Sequence, residues 1–140
     1  MQTTRTEVRD VLRRLLGFAR ARGIAAEFWL HAEHSAMLRF ANSAVSLNTT
    51  EDATALSVTA HRGNALGTYS VTAPLAQRDA LEQAVLAADE IARHAAPVAY
   101  TRTFRAIAPQ PDDVAGFDPA LCGLAPDLML QFMNDAVHGI

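Results

Sequence analysis

Leu38-Arg39-Phe40-Ala41-Asn42-Ser43-Ala44 and Ala55-Leu56-Ser57-Val58-Thr59-Ala60-His61-Arg62-Gly63 decide the fold of this chain. Both stretches alternate apolar with polar residues, the period of a half-buried β-strand. Asn42-Ser43 interrupts the first with residues suited to a tight turn, since Asn tolerates positive φ. Arg62-Gly63-Asn64 turns the chain after the second, and Ala65 to Ser70 returns as another strand. From Leu81 the period changes to that of a helix, with Leu81, Val85, Ala88 and Ile91 (and Ala84 and Ala92) forming its apolar stripe. Connections this short join antiparallel neighbours, so the run from Met37 to Ile91 reads as an antiparallel meander followed by a long helix.

Upstream, Thr4 and Glu7 have the spacing of a capping box, and Val8, Val11, Leu12, Leu15, Leu16 and Ala19 recur at helical intervals. Gly23 is placed to end this helix, because a residue without Cβ adopts the left-handed conformation at low cost. From Ile24 to His31 the period is two, with Ala26, Phe28 and Leu30 opposite Glu27, Trp29 and His31. Glu33-His34-Ser35 reads as a break before a second strand, Ala36 to Ala41. Val45 to Thr49 reads as a third, with Thr50-Glu51-Asp52 separating it from the strand around Val58.

Downstream of about His94 periodic signals fade, and Pro97, Pro109, Pro111 and Pro119 fall within a stretch longer than compact domains usually leave without structure. Pro126 suits the first turn of a last helix, whose apolar positions are Leu128, Met129, Phe132, Met133, Ala136 and Val137. The expected class is therefore α+β: a largely antiparallel sheet of about five strands packed against two long helices, with a C-terminal linker and a third helix. The expected division is an α+β domain over 1–96, a Pro-rich linker over 97–123 and the incomplete start of a helical segment over 124–140.

Composition narrows the functional classes. The 140 residues are half hydrophobic, enough for one cored domain. All 12 basic residues are Arg, and the net charge is -3, against a nucleic-acid surface. Arg13-Arg14 with Arg20 and Arg22 is the densest basic cluster, and with Glu7 and Asp10 before it reads as a solvated helix face. One cysteine, Cys122, excludes an internal disulfide. No apolar run approaches the roughly 20 residues that cross a bilayer, and no signal core follows Met1, so a cytoplasmic chain is expected.

Candidate chemistry is sparse. His31 and His34 lie an odd number of residues apart on an expected strand, which places them on opposite faces and keeps them from sharing a metal. His61, His94 and His138 show no partner in the sequence, and nothing local lowers the pKa of Cys122. Gly63-x-x-x-Gly67 lacks both the Lys-Ser/Thr ending of a phosphate loop and a following helix, and reads as part of a hairpin turn. No catalytic or metal-binding residue is assigned, and no cofactor is expected in this chain. The one feature pointing to binding is the polar face carrying Arg39, Asn42, Ser46, Asn48 and Thr49. Arg39, Asn42 and Asn48 are its candidate peptide or partner contacts, should a strand there lie at the sheet edge.

The order of these elements resembles the N-terminal domain of the TldD/PmbA (TldD/TldE) family. The residues that carry the resemblance are Ala26-Glu27, Leu38 to Ala44, Leu56 to Thr59, Gly63, Gly67-Thr68 and Leu81 to Ala92. In the tail they are Phe117-Asp118-Pro119-Ala120 and Leu124-Ala125-Pro126-Asp127. The resemblance implies large cytoplasmic two-subunit zinc peptidases that cleave unfolded or flexible peptides. In TldD-type subunits a later His-Glu-x-x-x-His helix binds zinc, and the TldE/PmbA-type partner resembles them without a working metal site. The chain contains no such motif, so no zinc ligand is carried over. The expectation is a noncatalytic N-terminal domain that assembles with a TldD/TldE-like partner subunit and contacts flexible peptide, itself inactive, with zinc only in a region this chain lacks. The other reading of the same residues is a free-standing protein-interaction or scaffold domain with no peptidase role.

Overall fold

The computed structural model describes residues 4–42, 44–100, 120 and 123–138. In chain order these form α1 (Arg5–Ala21), β1 (Ala25–Ala41), β2 (Ala44–Arg62), β3 (Ala65–Thr72), α2 (Arg78–His94) and α3 (Pro126–His138). The class is α+β, with three antiparallel strands in one sheet of order β1-β2-β3.

The ends of α1 follow from local chemistry. Thr4 Oγ1 accepts from the Glu7 amide at 3.3 Å while the Thr4 amide donates to Glu7 Oε2 at 2.7 Å, closing the capping box. That backbone bond is the main reason the Glu7 carboxyl is held below its ordinary pKa. At the other end Gly23 takes φ +65°, letting the Gly23 amide donate to Arg20 O and the Ile24 amide to Ala19 O. These two bonds close a Schellman motif, which the left-handed glycine makes accessible.

About five strands were expected, and the described residues form three. The first two candidates are one continuous β1 of 17 residues, and the third and fourth are one β2 of 19. Glu33-His34-Ser35 and Thr50-Glu51-Asp52 do not break the strands, because polar side chains leave backbone pairing intact. The polar residues interrupt the apolar alternation while the strands run on through them. Asn42 turns the chain between β1 and β2 at φ +53°.

β2 and β3 pair in the register Leu56↔Val71, Val58↔Tyr69, Ala60↔Gly67 and Arg62↔Ala65. One face of this ladder buries Leu56, Val58 and Ala60 against Val11, Leu15 and Ala19 of α1 and Leu81, Ala84, Val85, Ala88 and Ala92 of α2. Phe28 and Leu30 of β1 pack on the same core. Fully burying each of Leu15, Leu56 and Leu81 is worth about 1.5–3 kcal/mol. On the opposite face hydroxyls pair across strands, Thr59 with Thr68 at 3.1 Å and Ser70 with Ser57 at 3.0 Å. Trp29 is 75% exposed.

Gly67 belongs to strand β3 and not to the turn. A Cβ there would overlap Ala88 O and Ala92 N of α2 and lie 2.9 Å from Ile91 C, so the glycine permits a close approach of helix and strand. Gly63, at φ +58°, does the turning. The expected apolar stripe of α2 is also corrected at one position. Ile91 is 43% exposed, and Asp89 is buried on its helix at 3%.

Two compact units divide the chain, Met1–His34 with Asp52–Thr103 and Ser35–Glu51 with Phe104–Ile140. The first contains α1, β3, α2 and the helix-covered parts of β1 and β2. The second contains the far part of the β1–β2 hairpin and α3, on which Phe132 is 73% exposed. Residues 101–119 and 121–122, most of the expected 97–123 linker and including Cys122, lie outside the described residues.

Candidate functional site

The binding residues expected from sequence lie in the second unit, on the far part of the hairpin. Arg39 is on β1 and Asn48 on β2, both exposed, and Asn42 is in the turn. Ser46 Oγ donates to the Arg39 carbonyl at 3.2 Å, tying the two strands together beside the turn. Asn48 shares the Ser46 face of β2 by the two-residue period. Positive φ gives Asn42 a conformational role in the turn. The hairpin thus presents polar side chains on its exposed strands.

His31, His34, His61 and His94 each have a carboxylate beside them. His34 Nδ1 donates to Asp52 Oδ1 at 2.7 Å, which holds the Asp52 carboxyl below its ordinary pKa. His31 Nε2 lies 3.2 Å from Glu33 Oε2, His61 Nε2 3.6 Å from Glu27 Oε1, and His94 Nε2 3.0 Å from Glu90 Oε1. The spacing of Glu90 and His94, one helical turn apart, was the signal available in the sequence. The other partners come from strand geometry. Among the described residues no three histidine, cysteine or carboxylate side chains converge as a metal site.

The strongest electrostatic cluster in the first unit joins β2 to α2. Arg62 continues the inward-facing series Leu56, Val58, Ala60, which brings its guanidinium against the helix. Its Nε donates to Asp89 Oδ1 at 2.7 Å and its Nη2 to Oδ2 at 2.8 Å, while Arg93 Nη2 donates to Oδ2 at 2.9 Å. The Arg62 bonds, assisted by both cations, keep the Asp89 carboxyl below its ordinary pKa. A carboxylate with three donors has no spare basicity for catalysis, so this cluster is structural.

Also within the first unit, α1, the Asp52 end of β2, the end of β3 and residues 73–76 line an open cavity of about 620 Å³. Arg14 lines it, where the sequence suggested a solvated helix face. Among the described residues no helix is long and apolar enough to cross a membrane.

No family model matches the chain. No curated protein matches it. Among solved structures it is similar to TldE from Thermococcus kodakarensis, with a TM-score of 0.67 and 12% identity. The similarity covers 92% of this chain and 28% of that one, so the chain spans little more than a quarter of that protein's length. At this identity the likeness establishes architecture and not chemistry. The chain has a TldD/TldE-like fold.

Proposed function

We propose that the chain acts as a noncatalytic N-terminal domain of a TldD/PmbA-like metallopeptidase subunit. In this reading it contributes to subunit assembly and to holding flexible peptide in a cytoplasmic complex that degrades unfolded peptides. The observation that carries the proposal is the fold similarity to TldE over 92% of the chain. The sequence resemblance points the same way. The absence of a His-Glu-x-x-x-His motif from the 140 residues supports the noncatalytic part. Arg39, Asn42 and Asn48, exposed on the far hairpin, are the residues offered to peptide or partner. Zinc and hydrolysis belong to another region of such a complex.

The test measures the solution mass of the purified chain with and without a TldD-type subunit, together with zinc content and peptide cleavage. The expected result is a stable mixed complex, with neither stoichiometric zinc nor chelator-sensitive cleavage in the chain alone. Zinc-dependent cleavage by the chain itself overturns the noncatalytic role. Failure to associate with peptidase subunits of either type overturns the assembly role and leaves the scaffold reading.

A further inference from the structure

Arg14, which lines the cavity beside α1, carries an unpaired polar edge. Arg14 is only partly exposed, and its Nε and Nη2 atoms are shut off from solvent and hydrogen-bonded to no group in the structure. These two N–H groups form the edge of a guanidinium that grips a carboxylate with two parallel bonds. Leaving them dry and unpaired is costly, and buried polar groups nearly always find partners. The acidic side chains around the cavity are engaged elsewhere. Glu7 caps α1 through Thr4, Asp10 pairs with Arg13 at 3.4 Å, and Asp52 accepts from His34.

We propose that this cavity binds an α-carboxylate, gripped by the Nε–Nη2 edge of Arg14. A rotamer change of Arg14 turns that edge to the cavity on binding. The volume of about 620 Å³ lies within the range of small-ligand sites. Val11 and Leu75 supply apolar wall for a side chain, and Thr54 and Thr72 supply hydroxyls. The rim carries Glu7, Asp10 and Asp52, so a ligand of purely negative charge is repelled and one that also carries an ammonium group is favoured. The chemistry is that of a zwitterion: a free amino acid or the carboxyl-terminal end of a short peptide. The inference stands apart from the peptidase reading, since it rests on Arg14 and the cavity alone.

The probes are free leucine, alanyl-leucine and alanyl-leucinamide, titrated into the intact chain and followed by calorimetry and thermal shift. Alanyl-leucine is expected to bind about 10- to 100-fold more tightly than its amide, the loss of a charge-assisted bidentate contact. Leucine binding as tightly as the dipeptide identifies a free amino acid as the source, and weaker leucine binding identifies a peptide terminus. Arg14→Met is expected to abolish the discrimination between acid and amide while the ligand-free protein keeps or gains thermal stability, because it removes an unpaired polar edge. Arg14→Lys, which keeps charge but not the fork, is expected to bind the acid at least about 10-fold more weakly than wild type. Equal affinity for acid and amide, binding of neither, or wild-type discrimination in both Arg14 variants overturns the proposal.

Discussion

Arg62, the last residue of β2, grips both carboxylate oxygens of Asp89 on α2, at 2.7 and 2.8 Å. The pair is asymmetric: the Asp89 side chain is 4% exposed and that of Arg62 is 43% exposed. Desolvation therefore weighs on the anion, and the cation relieves it from the protein surface. The bond also joins the end of the sheet to the middle of the helix, next to the tight Gly67 approach.

That asymmetry orders two substitutions. Arg62→Met leaves Asp89 buried with Arg93 as its remaining arginine partner, whereas Asp89→Asn leaves two half-solvated arginines that water satisfies. Asp89→Asn is expected to cost about 1–2 kcal/mol, and Arg62→Met is expected to lower the urea midpoint further. Equal midpoints for the two variants would show that burial of Asp89 does not govern the pair.

Acid stability should follow the same carboxylate. The folded pKa of Asp89 is depressed below its unfolded value of about 3.9. Its contribution is present above that unfolded value and is lost as pH falls through it toward the folded pKa. In this interval the unfolded state binds more protons, so stability rises with pH. Urea melts between pH 2 and pH 6 should show a steeper acid slope for wild type than for Asp89→Asn.

Gly67 and Gly63 are separated by the reason each is glycine. Gly67→Ala drives a methyl into the α2 backbone, which has no rotamer by which to yield, and is expected to cost about 3 kcal/mol or more. Gly63→Ala meets open space and pays only for its left-handed φ, about 1 kcal/mol. Thermal denaturation of the two variants checks the order.

Thr4→Ala removes one half of the α1 capping box and is expected to cost about 1 kcal/mol. Thr4→Asn, which retains a side-chain acceptor, should recover most of it. Matching melting temperatures for Thr4→Ala and wild type would show that the first turn frays without penalty.

The elements legible in the sequence were those specified by neighbours in the chain. Thr4, Glu7 and Gly23 mark α1 because caps and left-handed turns are satisfied within a few residues, and the Leu81–Ala92 period marks α2 for the same reason. The continuity of β1 through Glu33 and of β2 through Asp52 was not legible, because it depends on backbone bonds to another strand. Arg39, Asn42 and Asn48 lie on the hairpin, and their polarity alone names no ligand. Arg14 was read as solvated, since no pattern along α1 reveals what β2, β3 and residues 73–76 build beside it.

By itself, then, the sequence determined the α+β class, the start of α1 and its end at Gly23, and the inward faces around Phe28 and Val58, all consequences of local period and capping. Only the tertiary structure decided that Asp89 and not Ile91 is buried, that Gly67 is a contact point between strand and helix, and that Arg14 borders a cavity. Each of these depends on a partner distant in the chain, and burial and ion pairing respond to that partner and not to the residues next in sequence.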